Sequence, residues 1–367
     1  FLAWAAENKK ELIAAPRVVV DVHFPQLMIQ QPEVVKALIR ALERRGALTV
    51  AAIDYDPLYE PMVLEFKPDC VVHTCCTPET LEFRGKLDVP HLESIYFRQQ
   101  SIEEWLKSPE GLLPGDYFFQ VATGEFIGTI EPHTGGGPIH PGGSAEASTP
   151  VTERIERLAD RTVSWIRLRH KENSAKKVAF VYYDLSGGKS EIMRGTATGM
   201  FMNGPRSLIG VLDRLRREGY AITNAPHSED ELIDRLMDHG RQIGLWAPGL
   251  LDRLARSGQA VLVPAETYRR WFETKVPAEQ RAELVKRWGE PPGQFLVWEN
   301  SGKSFIVIPR IDLGNVILLP QPLRGEAHDA LSLLHDRLVP PPHNYLATYF
   351  WLQEEFGADA LVHFGTH

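Results

Sequence analysis

Two histidines close the sequence, in Leu361–His367 (LVHFGTH). On an extended strand residues four apart face one side, so His363 and His367 would project together, with Gly365 leaving space between them. In α/β sheets ligands gather beyond the carboxyl ends of strands, and this pair stands at such an end. Two imidazoles so placed suit a transiently held divalent metal or the uptake of protons from a ligand. A single strand-end histidine is ordinarily structural; the same-face pairing is what points to chemistry.

Leu185–Gly204 (LSGGKSEIMRGTATGMFMNG) holds five glycines and follows a β-branched, aromatic run. Glycines there allow backbone to approach a flat or anionic ligand closely, and Lys189 and Arg194 could meet its carboxylates. The bland alternative is an ordinary strand-to-helix loop. Gly188-Lys189-Ser190 has the ending of a phosphate-binding loop, but Tyr183 stands where that motif needs its first glycine. Gly302-Lys303-Ser304 fails in the same way, with Val297 in that place. Any ATP chemistry therefore belongs to a partner.

The three cysteines, Cys70, Cys75 and Cys76, lack the paired C-x2-C spacing of a zinc site. With His73 between them they are either a metal cluster or small buried residues at a strand end. His133 and His140 lie in a Gly/Pro-dense stretch, where histidines are usually solvated. The sparing use of cysteine fits a reducing cytoplasm, the expected location.

These residues need elements to position them. Arg17–Val22 (RVVVDV), Leu48–Ile53 (LTVAAI) and Asp69–His73 (DCVVH) read as buried strands. Between them, Pro32–Arg45 and Pro57–Phe66 read as helices, the rhythm of a parallel sheet with helical crossovers. Glu131–Pro150 (EPHTGGGPIHPGGSAEASTP) reads as a linker or long loop. Ile155, Leu158, Val163 and Ile166 then give a helix one apolar face. A second α/β series follows: strand Val178–Tyr183, helices Ser207–Glu218 and Glu229–His239, strand Ala260–Val263 and helix Ala278–Trp288. Phe295–Trp298, Phe305–Ile308 and Val316–Leu319, separated by turns, suggest a small antiparallel excursion. Helix His343–Phe356 and strand Asp359–Phe364 restore the α/β pattern. The expected fold is α/β, with Rossmann-like parallel-sheet units and that excursion. Its parts are an N-terminal α/β domain over 1–130, a linker or loop over 131–150 and a second α/β region over 151–367.

The chain has 367 residues, 43% hydrophobic and 24% charged, room for two or three domains at roughly 150 residues each. A formal net charge of -8 argues against an electrostatic grip on nucleic acid. No apolar run approaches the ~20 residues that span a bilayer. The sequence starts at Phe1 and stops directly after an apolar run, and reads as a fragment.

Together these segments resemble the CobN/magnesium-chelatase large-subunit family. The likeness runs through Tyr182–Leu208 (YYDLSGGK…NGPRSL), Trp288–Gly293 (WGEPPG) and Gly314–Gly325 (GNVILLPQPLRG). It is strongest in Leu338–His367 (LVPPPHNYLATYFWLQEEFGADALVHFGTH) and weaker in FKPDCVVH and GEFIGTIEP (Gly124–Pro132). The resemblance implies an enzyme that inserts a divalent metal, cobalt or else magnesium, into a tetrapyrrole, a ligase forming nitrogen–metal bonds. ATP and Mg2+ would act through AAA+ ATPase and adaptor partners, and this fragment alone would be inactive. It implies His363 and His367 as catalytic and metal-handling residues, and Tyr183, Lys189, Arg194, Gln321 and Arg324 as substrate-binding ones. The family's glutamate after HFGTH falls beyond this sequence. Asp184-Leu185-Ser186-Gly187 replaces the Pro-Pro segment of cobalt-type members, and Met193–Met202 is unusual, as in a divergent paralogue. Metal and ring are thus left open, as are two alternatives: a haem dechelatase and a non-catalytic tetrapyrrole-binding protein.

Overall fold

A computed structural model describes residues 1–23, 32–74, 80–140, 148–184, 203–325, 336 and 338–365. The chain divides into two compact units, Phe1–His170 and Lys171–His367. Lys189, Arg194, His367, Cys75 and Cys76 lie outside the described residues.

The first unit is built on six strands: β1 (Arg17–Val22), β2 (Leu48–Ile53), β3 (Cys70–His73), β4 (His91–Tyr96), β5 (Thr129–Pro138) and β6 (Ser148–Pro150). Five run parallel in the order β2-β1-β3-β4-β5, and β6 closes the edge antiparallel to β5. Both faces of the sheet are covered, which is why β1 is apolar almost throughout. Val18, Val20, Val22, Val72 and Leu92 pack with Leu38 and Leu42 of helix Glu33–Arg44 and with Ile155, Leu158 and Ile166 of helix Thr152–His170. On the other face Val19, Val71, Leu48 and Ala52 meet Val63 and Phe66 of helix Tyr59–Phe66 and Phe83 of helix Leu81–Leu87.

The loop expected over 131–150 is corrected: much of it is β5 and β6. Glycine density here reflects close approach rather than freedom. A Cβ on Gly135 would collide with Ser94 Oγ, and one on Gly136 with the Thr149 carbonyl and, at 2.6 Å, Val34 Cγ2. One on Gly137 would lie 2.7 Å from Phe97 Cβ. Helix Thr152–His170 belongs to the first core, so the units divide after His170 rather than within the glycine-rich segment. His133 Nδ1 lies 2.9 Å from the Glu131 carbonyl, and exposed His140 lies 3.2 Å from the Glu103 carboxylate.

The central strands also carry a buried polar row on the face away from Leu92. His73 Nδ1 donates to Asp21 Oδ2 at 2.8 Å, and its Nε2 lies 2.9 Å from His91 Nδ1 and 3.2 Å from Arg84 Nη2. Arg84 also donates to Thr129 Oγ1 and the Ile127 carbonyl. His73 thus serves a hydrogen-bonded core, and among the described residues no three His, Cys, Asp or Glu side chains are grouped to hold a metal ion. Burial first, then the neighbouring His73 and Arg84 charges, depress His91 from 6.5 to about 2. In the unfolded chain His91 takes a proton near pH 6.5; in the fold it resists one. Its contribution to stability is therefore complete above pH 6.5 and drains away as the pH falls toward 2. The first unit's unfolding free energy should decline with acidification below pH 6.5, by up to about 1.4 kcal/mol per pH unit from this group. Chemical denaturation of His91→Gln against pH should show a correspondingly flatter slope.

The second unit has a sheet of order β11-β12-β7-β13, from β7 (Val178–Tyr182), β11 (Ile311–Asp312), β12 (Val316–Pro320) and β13 (Ala360–Phe364). β12, β7 and β13 are parallel, and β11 is antiparallel to β12. On one face Ala179, Val181, Ile317 and Leu319 pack against helices Ala265–Lys275, Ala278–Trp288 and His343–Trp351 through Trp271, Leu284 and Trp351. On the other, Phe180, Tyr182 and Leu318 meet Leu208 and Leu212 of helix Gly204–Arg217 and Leu232 and Leu236 of helix Glu229–His239.

A separate antiparallel sheet, order β8-β10-β9, joins β8 (Val261–Pro264), β9 (Val297–Asn300) and β10 (Lys303–Ile308). The expected excursion is therefore real in its first two runs, whereas the third, Val316–Leu319, is β12 of the parallel sheet. Gly302-Lys303-Ser304 opens β10: Ser301 (φ 52) and Gly302 (φ 73) make the two-residue turn of a β9–β10 hairpin. That geometry is unrelated to a strand-to-helix phosphate loop. Among the described residues no helix is long and apolar enough to cross a membrane.

Candidate functional site

The parallel register aligns the carboxyl ends of three strands, with Pro320 and Phe364 both opposite Tyr182. The chain leaving those ends carries Tyr183 and Asp184, Gln321 to Arg324, and Gly365. This edge of the sheet is fastened from below. The Tyr182 carbonyl accepts from the Gln321 amide at 2.6 Å. The Tyr182 hydroxyl donates to the Gly240 carbonyl, and burial, followed by the Asp184 charge, raises its pKa well above 10, so it remains a donor. Buried Asp184 accepts from the Gln242 amide at 2.8 Å, and Gln242 Nε2 donates to the Pro320 carbonyl at 3.3 Å. The turn after helix Glu229–His239 is thereby tied to the ends of both β7 and β12.

Above that base sits a polar aromatic shelf. Tyr345 and Tyr349, one turn apart on helix His343–Trp351, have ring centroids 5.2 Å apart. Gln321 bridges them: its Nε2 donates to Tyr345 Oη at 3.1 Å, and its Oε1 accepts from Tyr349 Oη at 3.3 Å. The Tyr349 ring lies 6.4 Å from that of exposed His363. Burial and the adjacent Tyr345 push the Tyr349 phenol upward, so it stays a proton donor. Arg324 donates from Nη2 to the Val339 carbonyl at 2.5 Å, holding the loop after β12 to the segment entering the helix.

The helix itself is pinned at its start. His343 Nδ1 accepts from Tyr268 Oη at 2.8 Å, and its Nε2 donates to the Gly289 carbonyl at 2.9 Å. Gly293 at φ 75 lies against the same ring, where a Cβ would come within 2.8 Å of His343 Cδ2. Trp288 Nε1 donates to the Pro340 carbonyl at 2.8 Å. The WGEPPG and PPPHNY segments, far apart in sequence, thus form one support behind the shelf.

Of the residues expected at the site, His363 and Gln321 are joined through Tyr349, while Tyr183 and Arg324 stand half-buried at the same edge. Arg324 is committed to a backbone carbonyl. The His363–His367 pairing and the Lys189 and Arg194 contacts fall outside the described residues. Tyr345, Tyr349, Asp184 and Gln242 were not anticipated. A helical-face reading of His343–Phe356 would have found the two tyrosines; the Asp184–Gln242 bond leaves no local signal.

The CobN/Magnesium Chelatase family model matches residues 1–367. The chain belongs to that family. All the segments just described therefore lie within a CobN/magnesium chelatase region rather than beside one. Among relatives, the chain is 30% identical over 304 residues to the aerobic cobaltochelatase subunit CobN of Pseudomonas aeruginosa, covering 79% of this chain and 22% of that protein. It is 29% identical over 291 residues to the chloroplastic magnesium-chelatase subunit ChlH of Oryza sativa subsp. japonica, covering 79% and 19%. Among solved structures, it is similar to the catalytic subunit of cobaltochelatase from Mycobacterium tuberculosis, with a TM-score of 0.78 and 27% identity over 96% of this chain and 30% of that one. The chain thus spans less than a third of the length of these CobN and ChlH relatives.

Proposed function

We propose that this chain is the part of a metal chelatase large subunit that receives a tetrapyrrole and helps place a divalent metal in it, cobalt first and magnesium next. The supporting observation is the His363–Tyr349–Gln321–Tyr345 arrangement at the aligned carboxyl ends of three parallel strands, in a CobN/magnesium chelatase chain. Relatives carrying both cobaltochelatase and magnesium-chelatase names leave the ion as part of the proposal.

Metal insertion exchanges two pyrrole N–H protons for one dication, and the ion must shed water as it enters. A site that accepts protons and offers replacement ligands lowers both barriers. His363, with His367, takes that role. Tyr345 and Tyr349 present flat surface and fixed hydroxyls, oriented by Gln321, while Tyr183 and Arg324 border the ring and Lys189 and Arg194 meet its carboxylates. ATP hydrolysis belongs to AAA+ and adaptor partners. The cytoplasm is the proposed place of work.

The test is reconstitution of the full-length protein with its ATPase partners, supplying Co2+ or Mg2+ and following ring absorbance. Insertion of either metal supports the reading, and the preferred ion settles the subclass. Absence of both ring binding and insertion would remove it; release of iron from haem would assign the opposite direction. Gln321→Leu deletes both hydrogen bonds to the tyrosines, each worth roughly 1 kcal/mol. It should reduce kcat/KM for insertion by about tenfold and lower the unfolding midpoint modestly, with the far-ultraviolet dichroism of the folded state retained.

A further inference from the structure

We propose a second ring site on the first unit, where His23 supplies one axial nitrogen to the metal of an already metallated tetrapyrrole. The place is the carboxyl edge of the first sheet at β1 and β3, where the strand order β2-β1-β3-β4 reverses direction. Such a switch point is where open parallel sheets hold ligands. Three strand ends are fastened together there. The His23 amide faces Thr74 Oγ1 at 3.4 Å, Thr74 Oγ1 donates to the Asp21 carbonyl at 2.9 Å, and the Asp54 amide donates to the Val22 carbonyl at 3.1 Å.

The His23 imidazole is oriented for ligation. Its Nδ1 donates to Asp54 Oδ2 at 2.5 Å, with the two side chains only 9% and 2% exposed. A carboxylate on one ring nitrogen fixes the tautomer and makes the other a better metal ligand. That other nitrogen, Nε2, has no hydrogen-bond partner among the described residues. A bare divalent ion would need three or four donors, and the described residues offer no such group. A metal already held by four ring nitrogens needs one.

An exposed aromatic ring stands beside this imidazole, on a chain segment that carries further exposed apolar side chains. Tyr55, held at φ 58, has its ring 5.8 Å from that of His23. Tyr55, Leu58 and Met62, carried by the chain as it leaves β2, are 63%, 70% and 39% exposed. Tyr55, beside the imidazole, offers a flat ring face to a planar ligand. That the ring is a tetrapyrrole rests on the chelatase reading; ligation by one imidazole rests on the dyad alone.

The experiment adds cobalt(II) protoporphyrin anaerobically to the full chain and records its electron paramagnetic resonance. The expected spectrum shows each cobalt line split in three by a single nitrogen. His23→Ala should abolish that splitting and weaken the metallated ring at least tenfold, leaving metal-free protoporphyrin unaffected. His363→Ala should retain the splitting, and free imidazole should restore it to His23→Gly. If the alanine variant does not fold, His23→Gln keeps a donor for Asp54 while removing the ligand. Persistence of the triplet without His23, or equal wild-type affinity for metallated and metal-free rings, overturns the proposal. Failure of metal insertion with the triplet intact would count against the chelatase reading alone.

Discussion

His363→Ala in the full-length protein should reduce metal insertion by at least about a hundredfold, the scale on which a positioned proton acceptor contributes, with ring binding and fold preserved. The structural reason for expecting an intact fold is that His363 is exposed and no described side chain depends on its ring for a hydrogen bond. Its strand is held elsewhere: β13 pairs with β7 from Ala360 to Phe364, and Asp359 accepts from Lys171 Nζ at 2.6 Å and the Lys177 amide at 2.7 Å. A variant that still binds the ring but fails to metallate it separates chemistry from binding. Replacing His367 as well should add little if the two imidazoles act as one unit. Undiminished turnover of the double variant would end the assignment.

Gly136→Val should unfold or severely weaken the first unit, by about 3 kcal/mol or more, at the upper end of overpacking costs. The added carbon meets the Thr149 carbonyl and Val34 Cγ2 on opposing elements, β6 and helix Glu33–Arg44. Neither the β5–β6 pairing of Gly136 with Pro150 nor the core seat of Val34 can yield without separating layers. Gly128, where φ is 87 and an added Cβ would meet nothing within 4 Å, is a control of a different kind: Gly128→Val should carry backbone strain without the steric penalty. Urea unfolding of both variants, followed by far-ultraviolet dichroism, gives the comparison. A midpoint for Gly136→Val equal to wild type would show that β5 does not pack as described.

The parts of the fold legible in the sequence are those whose burial shows in composition. RVVVDV and LTVAAI are apolar because β1 and β2 are covered on at least one face, and their alternation with helices gave the parallel sheet. β4, His91–Tyr96, is central and yet reads HLESIY, because one of its faces serves the polar row of His73, His91 and Arg84. No local rule separates such a strand from a loop. β5 was hidden for the reverse reason: its glycines answer to Ser94, Val34 and Phe97, which come from other segments. Val316–Leu319 reads as a strand, but its sheet is not legible locally, since its pairing with β7 spans a long stretch of chain. At the candidate site, the strand-end position of His363 was readable from periodicity. Its neighbours Tyr345 and Tyr349 were readable only in principle, and the Asp184–Gln242 fastening arises from packing alone.

The placement of β13 bears on how the second unit comes into being. β7 begins at Val178 and its partner on one side begins at Ala360, so nearly all of this unit must leave the ribosome before that flank of β7 can be covered. Closing so long a loop is entropically costly and slow, and until then β7 keeps a row of unpaired backbone N–H and C=O groups on that flank that can template pairing with other nascent chains. The strand that brings His363 is also the one that seals this edge. A polypeptide interrupted before Ala360 should therefore be prone to self-association through the uncovered flank of β7.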